Sequence, residues 1–232
     1  MPTLAVQLTT VSSWALRSFR RRGLRSTVGV AYSSLLDLGF DWRYGTETRS
    51  VVLRTDMEPE LENRDRAVSY QPTKERPFLH LMQRLPLPPG STFVDVGCGK
   101  GRVLLLAAQL SSLARVVGVE FSPKLCAQAR GNIQVFRASG KLRAPIEVIQ
   151  ADAPKRVPDP SENVFFLYNP FDAAILRLFL DRLRESLAAH PRQVWILYSV
   201  PVHAGVLDVS GVFSRTESYT LGGNHVYVYT NK

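Results

Sequence analysis

Thr92-Phe93-Val94-Asp95-Val96-Gly97-Cys98-Gly99-Lys100-Gly101-Arg102 is the stretch on which the fold turns. Five residues of strand character run into three glycines at alternate positions, and Val103-Leu104-Leu105-Leu106-Ala107-Ala108-Gln109-Leu110 continues with helical character. A strand, a glycine turn and a helix bring backbone N–H groups and a helix N-terminus against a ligand in α/β proteins. Glycine is needed where the chain turns with positive φ or where a side chain would block the ligand. The spacing is not that of a dinucleotide turn, G-x-G-x-x-G. The third glycine comes one residue early, and Arg102 stands where the dinucleotide pattern has glycine. Asp95, two residues ahead of the first glycine, is a poor neighbour for a pyrophosphate and suits a cationic ligand with an ammonium group. Both features count against a nicotinamide oxidoreductase.

Outward from this stretch, strands and helices alternate as they do in α/β folds. Strands are expected over 92–96, 115–120, 146–150, 163–168 and 193–200, with helices to about 110, over 123–136 and over 173–189. The first, second, fourth and fifth strands are nearly continuous apolar runs, the pattern of strands buried on both faces. Two late strands, 213–221 and 225–230, are joined by Gly222-Gly223-Asn224, a hairpin signal. Upstream, Pro72 keeps Gln71 out of a helix, and Thr73 is expected to cap a helix over 74–85. The expected fold is a doubly wound, mainly parallel seven-stranded sheet with an antiparallel C-terminal hairpin strand.

The chain has 232 residues, 45% hydrophobic and 21% charged, enough to bury a core without metal or disulfide staples. Cys98 and Cys126 lie far apart and outside any ligand-spaced cluster, which argues against a disulfide framework or a zinc site and fits a reducing compartment. Of the net charge of +9, residues 1–36 supply five arginines and no acid. Residues 4–25 fit a short amphipathic helix with a basic C-terminal end. It reads as a surface helix packed on the domain, as an interfacial helix on anionic lipid, or as a targeting peptide. No apolar run approaches the roughly 20 residues of a membrane span. The expected organisation is a basic helical arm over 1–38, a connecting or lid segment over 39–69, and the main domain over 70–232. Within the middle segment, Gly39–Thr46 reads as a loop tucked onto the core or as part of a lid, and 47–68 as a long connection.

Ligands bind at the C-terminal strand ends of a doubly wound sheet. After the first strand come Asp95, Gly97, Gly99 and Gly101. The second ends at Glu120, whose carboxylate can accept both hydrogen bonds of a ribose diol. The third is followed by Asp152, suited to an adenine amino group, and by Ala153, whose N–H can meet the ring. The fourth is followed by Asn169, Pro170, Phe171 and Asp172. Lys100 and Arg102 read as surface charges at a helix start, and Cys98 as a small turn residue.

Together these residues resemble the class I S-adenosylmethionine (SAM) methyltransferases over roughly residues 70–232. Asp95–Gly101 stands for motif I, Glu120 for the motif II acid, Asp152 for motif III and Asn169-Pro170-Phe171 for motif IV. With Tyr70-Gln71-Pro72-Thr73 upstream, the run is similar to a bacterial group of mostly unassigned substrate, and more distantly to non-SET lysine methyltransferases. The resemblance implies SAM as cofactor, with Tyr70 and Thr73 over its methionine end. Asn169-Pro170-Phe171 also resembles the (N/D)-P-P-(Y/F) signature of amino-methylating enzymes, with one proline in place of two. That likeness implies Asn169 at the reactive end, touching cofactor and catalysis, and Phe171 as an acceptor-site aromatic. The expected activity is methyl transfer to a nitrogen or oxygen nucleophile of an unidentified acceptor, a small molecule or protein lysine rather than nucleic acid. No metal is expected, and the expected location is the cytoplasm, with peripheral membrane contact through residues 1–25 as a further reading. The alternative is a non-catalytic, SAM-binding scaffold docked on a membrane.

Overall fold

The computed structural model of the chain describes residues 39–52, 64–66 and 70–231. The basic arm expected over 1–38 and residues 53–63 and 67–69 of the connecting segment lie outside the described residues. Seven strands form one sheet: β1 (Ser91–Val96), β2 (Leu113–Glu120), β3 (Ile146–Gln150), β4 (Glu162–Tyr168), β5 (Trp195–Ser199), β6 (Phe213–Leu221) and β7 (Asn224–Asn231). Their order is β3-β2-β1-β4-β5-β7-β6. The pairs among β1 to β5 are parallel, and β7 runs antiparallel to both β5 and β6. The doubly wound sheet ending in an antiparallel hairpin is the fold read from the sequence.

The helices are α1 (Glu75–Arg84), α2 (Arg102–Ala107), α3 (Pro123–Arg137), α4 (Ala173–Ala189) and α5 (Ala204–Asp208). Successive strand residues feed opposite layers, because side chains alternate across a sheet. Phe93, Val116, Val164 and Phe166 pack with Phe78, Leu81 and Phe136 of α1 and α3. Val94, Val117, Phe165 and Ile196 pack with Leu176, Phe179 and Leu183 of α4 and with Leu207 of α5. Every residue of β1 is buried. The strand is central, so a continuous apolar run is what its position demands. β3 and β6 form the edges, and β6 carries a register shift between Arg215 and Glu217 that interrupts its pairing.

Two local expectations are corrected. Thr73 does not cap α1; the position before the helix is Lys74, which makes no side-chain cap bond. Gly39–Thr46 is not a loop throughout, since residues 39–44 are helical. Phe40 from that turn is fully buried and packs 6.0 Å, ring to ring, from Phe136. The glycine and aromatic content that suggested a loop is used to dock a short helix.

The strand order reverses between β1 and β4, one continuing to β2 and β3 and the other to β5. A reversal of this kind opens a crevice at the C-terminal strand ends.

Candidate functional site

The crevice is a cleft of about 910 Å³, open mouth included, and the residues singled out in the sequence converge on it. Tyr70, Thr73, Asp95, Gly97, Gly99, Glu120, Asp152, Ala153, Asn169 and Phe171 all line it. Gly101 does not line it. Gly101 stands before α2 in the left-handed region, and a Cβ there would lie 3.2 Å from that of Ala129, so it serves the packing of α2 on α3.

The glycine turn is folded back on β2. Gly97 N–H and Cys98 N–H both donate to Val119 O, at 2.8 and 3.1 Å. Gly99 has φ +52°, and a Cβ on it would fall 2.2 Å from Cδ2 of Tyr70. The Tyr70 ring therefore lies directly on the backbone of the turn. Gly97 leaves room in the same way for Pro170, whose Cβ would be 2.8 Å from an added methyl.

Glu120 is buried at the end of β2. Its Oε2 accepts from Gly99 N–H at 2.9 Å and its Oε1 from Ser122 N–H at 3.0 Å. These bonds hold the carboxylate against the turn. Ser122 in turn caps α3, accepting from Leu125 N–H at 3.2 Å, with Pro123 at the first helical position.

Asp95 is 4% exposed and has no hydrogen-bond partner among the described residues. It shares its face of β1 with Phe93 and lies in register with Gly118 and Phe166. Burial, and next the nearby Glu120 charge, push its carboxyl well above the usual carboxylate range. A buried carboxyl that lines a cleft and has no hydrogen-bond partner among the described residues is a site for a ligand donor.

Asp152 precedes the short turn Ala153–Lys155 but makes no side-chain cap bond to it. Asn169 follows β4 in the left-handed region, φ +43°, a conformation asparagine tolerates better than most residues. Its Oδ1 accepts from the Tyr198 hydroxyl at 3.2 Å.

Phe171 is 8% exposed and belongs to the core layer with α4, its ring 6.2 Å from that of Phe179, while it also lines the cleft. Asp172 caps α4, its Oδ1 accepting from Ala174 N–H and Ile175 N–H at 2.9 Å each, so it is engaged away from the reactive end.

Lys100 and Arg102 are not surface charges: each is 2% exposed. Lys100 Nζ donates to Glu47 Oε1 at 2.7 Å and also to Ser50 Oγ. The Arg102 guanidinium lies 4.5 Å from the centre of the Phe40 ring, a cation–π contact, and Arg102 lines the cleft. The partners come from residues 39–52, which are laid across the glycine turn rather than strung as a connection. Asn132 of α3 secures that segment, accepting from Glu47 N–H at 2.8 Å and donating to Lys100 O at 3.0 Å. Asp41 gathers it from within, accepting from the Thr46 and Thr48 hydroxyls at 2.7 Å. Thr48 O then accepts from the Tyr70 hydroxyl at 2.7 Å, and Val52 pairs with Tyr70. The lattice thus reaches the ring that covers Gly99.

Glu47 is 60% exposed whereas Lys100 is buried, so the pair is asymmetric. Glu47→Ala strands a buried ammonium and is expected to destabilise more than Lys100→Met, which leaves a carboxylate that water can solvate. A difference of about 1–2 kcal/mol between them is expected, discounted for the exposure of Glu47. Urea denaturation midpoints of the two variants check it.

Residues 93–189 match the methyltransferase domain family.

Over those residues the chain is similar to methyltransferase domains.

It is 37% identical over 68 residues to trans-aconitate 2-methyltransferase of Variovorax paradoxus (strain S110), covering 29% of this chain and 26% of that one. It is 27% identical over 130 residues to ribosomal protein L11 methyltransferase of Salmonella arizonae, covering 56% and 36%. The chain thus spans about a quarter to a third of the length of the curated relatives it matches. In three dimensions it is similar to an RNA methyltransferase from Salinibacter ruber in complex with S-adenosyl-L-homocysteine. The TM-score is 0.50 at 20% identity, with 69% of this chain and 93% of that chain covered, a likeness of fold.

SAM is the cofactor that the family match indicates. The site fits it chemically: a buried carboxyl with no hydrogen-bond partner among the described residues lines the cleft, which suits a ligand that carries an ammonium. Among the described residues no cluster of histidine, cysteine and carboxylates could hold a metal ion, and no helix is long and apolar enough to cross a membrane.

Proposed function

We propose that the protein is a SAM-dependent methyltransferase acting on a nitrogen or oxygen nucleophile. The observation that carries this reading is the unpartnered, buried Asp95 carboxyl beside Glu120 in the glycine-turn cleft. In this reading Asp95 takes the ammonium of the cofactor's methionine end, with Tyr70 and Thr73 above it. Glu120, held by Gly99 N–H and Ser122 N–H, takes the ribose hydroxyls, while Asp152 and Ala153 N–H take the adenine. Asn169 stands at the reactive end. The cofactor supplies a methyl already activated on a sulfonium, so the residues' work is to align the acceptor and exclude water. The relatives' names cover a small acid, a protein and an RNA, so they support methyl transfer without selecting an acceptor.

Calorimetry with SAM and with NAD tests the reading. SAM binding that Asp95→Ala abolishes supports it, and NAD binding without a response to SAM would sink it. The scaffold alternative expects SAM binding with no transfer to any acceptor, together with liposome flotation that depends on residues 1–25.

The raised Asp95 carboxyl gives a pH signature. The free protein keeps Asp95 protonated in a range where an exposed aspartate is ionised. A cationic ligand favours the ionised form, so binding releases a proton, and affinity rises with pH until Asp95 ionises unaided. Calorimetry in buffers of different ionisation enthalpy measures the release, which Asp95→Asn removes. For stability, the pKa is higher folded than unfolded. The free protein therefore loses stability as pH rises from about 3.9, the unfolded value, through the folded one. Asp95→Asn flattens that slope.

A further inference from the structure

The reactive end of the cleft carries a hydrogen-bond polarity that bears on the acceptor. Tyr198 is 1% exposed, and its oxygen accepts from His203 N–H at 3.3 Å. Its single hydroxyl hydrogen has one acceptor within reach among the described residues, Asn169 Oδ1. A buried hydroxyl hydrogen left unmatched is costly, so this bond assigns the amide: oxygen toward Tyr198, nitrogen away from it. The two Nδ2 hydrogens then have no protein partner among the described residues, on a side chain that lines the cleft. An amine acceptor would find on this side chain two donors and only the second lone pair of Oδ1, whereas a carboxylate meets both N–H groups.

The neighbouring groups agree. A second pocket adjoins the cleft through Thr73, Phe166 and Tyr168, and its one charged lining residue is Lys74, a cation. The groups that could deprotonate an arriving ammonium are engaged or protonated. Asp172 caps α4. Tyr168 and Tyr198 are held above the ordinary tyrosine range by burial and keep their protons.

We propose that the group methylated is a carboxylate oxygen of a small acidic acceptor, received by Asn169 Nδ2 with Lys74 at the rim. This rests on the methyltransferase reading above. The O–CH3 bond forms as the S–CH3 bond breaks, and the electron pair of the broken bond stays on sulfur. The carboxylate and sulfonium charges cancel to a neutral ester and a thioether. No proton is gained or lost, so no general base is required. Asn169 is a residue that touches the acceptor, and Tyr198 is a positioning residue acting through it.

The experiment has separate arms. SAM binding is first measured by calorimetry; its absence overturns the methyltransferase reading itself. Labelled SAM is then offered with succinate, citrate and benzoate, and in parallel with lysine peptides and spermidine. An ester releases its label as volatile methanol in alkali, and an N-methyl group does not. Citrate and benzoate are also titrated calorimetrically into protein saturated with S-adenosylhomocysteine. The expected result is alkali-labile label and carboxylate binding, both weakened about 10–100-fold by Asn169→Asp, the scale of a lost charged hydrogen bond. Tyr198→Phe is expected to raise the KM for the carboxylate about tenfold while SAM affinity holds, a split that a merely structural role would not give. Alkali-stable label on an amine, retained by Asn169→Asp, overturns the proposal. So does SAM binding without carboxylate binding or transfer.

Discussion

Gly99→Ala is expected to abolish measurable SAM binding while leaving the sheet folded. The added methyl would lie 2.2 and 2.4 Å from two carbons of the Tyr70 ring, a separation no rotamer adjustment of alanine can relieve. Either the ring leaves the turn or the turn leaves Glu120. The first loses the hydroxyl bond to Thr48 O, and the second loses Gly99 N–H to Glu120 Oε2. The φ of +52° adds strain of about 1–2 kcal/mol for a residue with a Cβ. Strain and displacement together should exceed about 3 kcal/mol, or more than 100-fold in affinity. Calorimetry with SAM, and circular dichroism to verify the fold, are the measurements. Unaltered affinity would show that the Tyr70 ring does not need its seat on Gly99.

Glu120→Ala should be costly to stability as well as to binding. The carboxylate satisfies two N–H groups, of Gly99 and Ser122, that lie in the buried floor of the cleft. Removing it leaves both donors unmatched, at about 1–3 kcal/mol each, and opens a void at the end of β2. A drop of about 2–5 kcal/mol in unfolding free energy is expected, together with loss of SAM binding. Glu120→Gln separates the two effects. Its amide oxygen can serve one of the two N–H groups, so stability should recover in part while affinity for the ribose diol stays low. Urea unfolding and SAM titration of both variants check this. A stable Glu120→Ala that binds SAM normally would remove Glu120 from the site.

The legible parts of the chain were those whose cause is local. Apolar runs in β1, β2, β4 and β5 announce strands buried on both faces, and the alternating glycines announce a turn that must approach a ligand. Reading strand ends as ligand positions then brought Asp95, Glu120, Asp152 and Asn169 to one cleft, because parallel strands deliver all their C-termini to one edge. Illegible were the roles set by partners far along the chain. Lys100 finds Glu47 across 53 positions, and nothing in the residues flanking Lys100 signals that its charge is buried. Resemblance alone placed Phe171 at the acceptor site, and the sequence picked no role for Asp172 beside it. Their use by the α4 core and the α4 N-terminus follows from where that helix starts.

By itself, then, the sequence determined the doubly wound sheet and the strand-end carboxylates, since hydrophobic period and glycine spacing are properties of neighbouring residues. It also excluded a dinucleotide turn, through Arg102 and the early third glycine. Only the tertiary structure decided that residues 39–52 brace the glycine turn, that Lys100 and Arg102 lie under that brace, and that Tyr198 orients the amide of Asn169. Each of these depends on which distant groups share a low-dielectric interior. There, every buried charge and hydroxyl must find a partner, and the partner is chosen by the folded path of the chain rather than by its order.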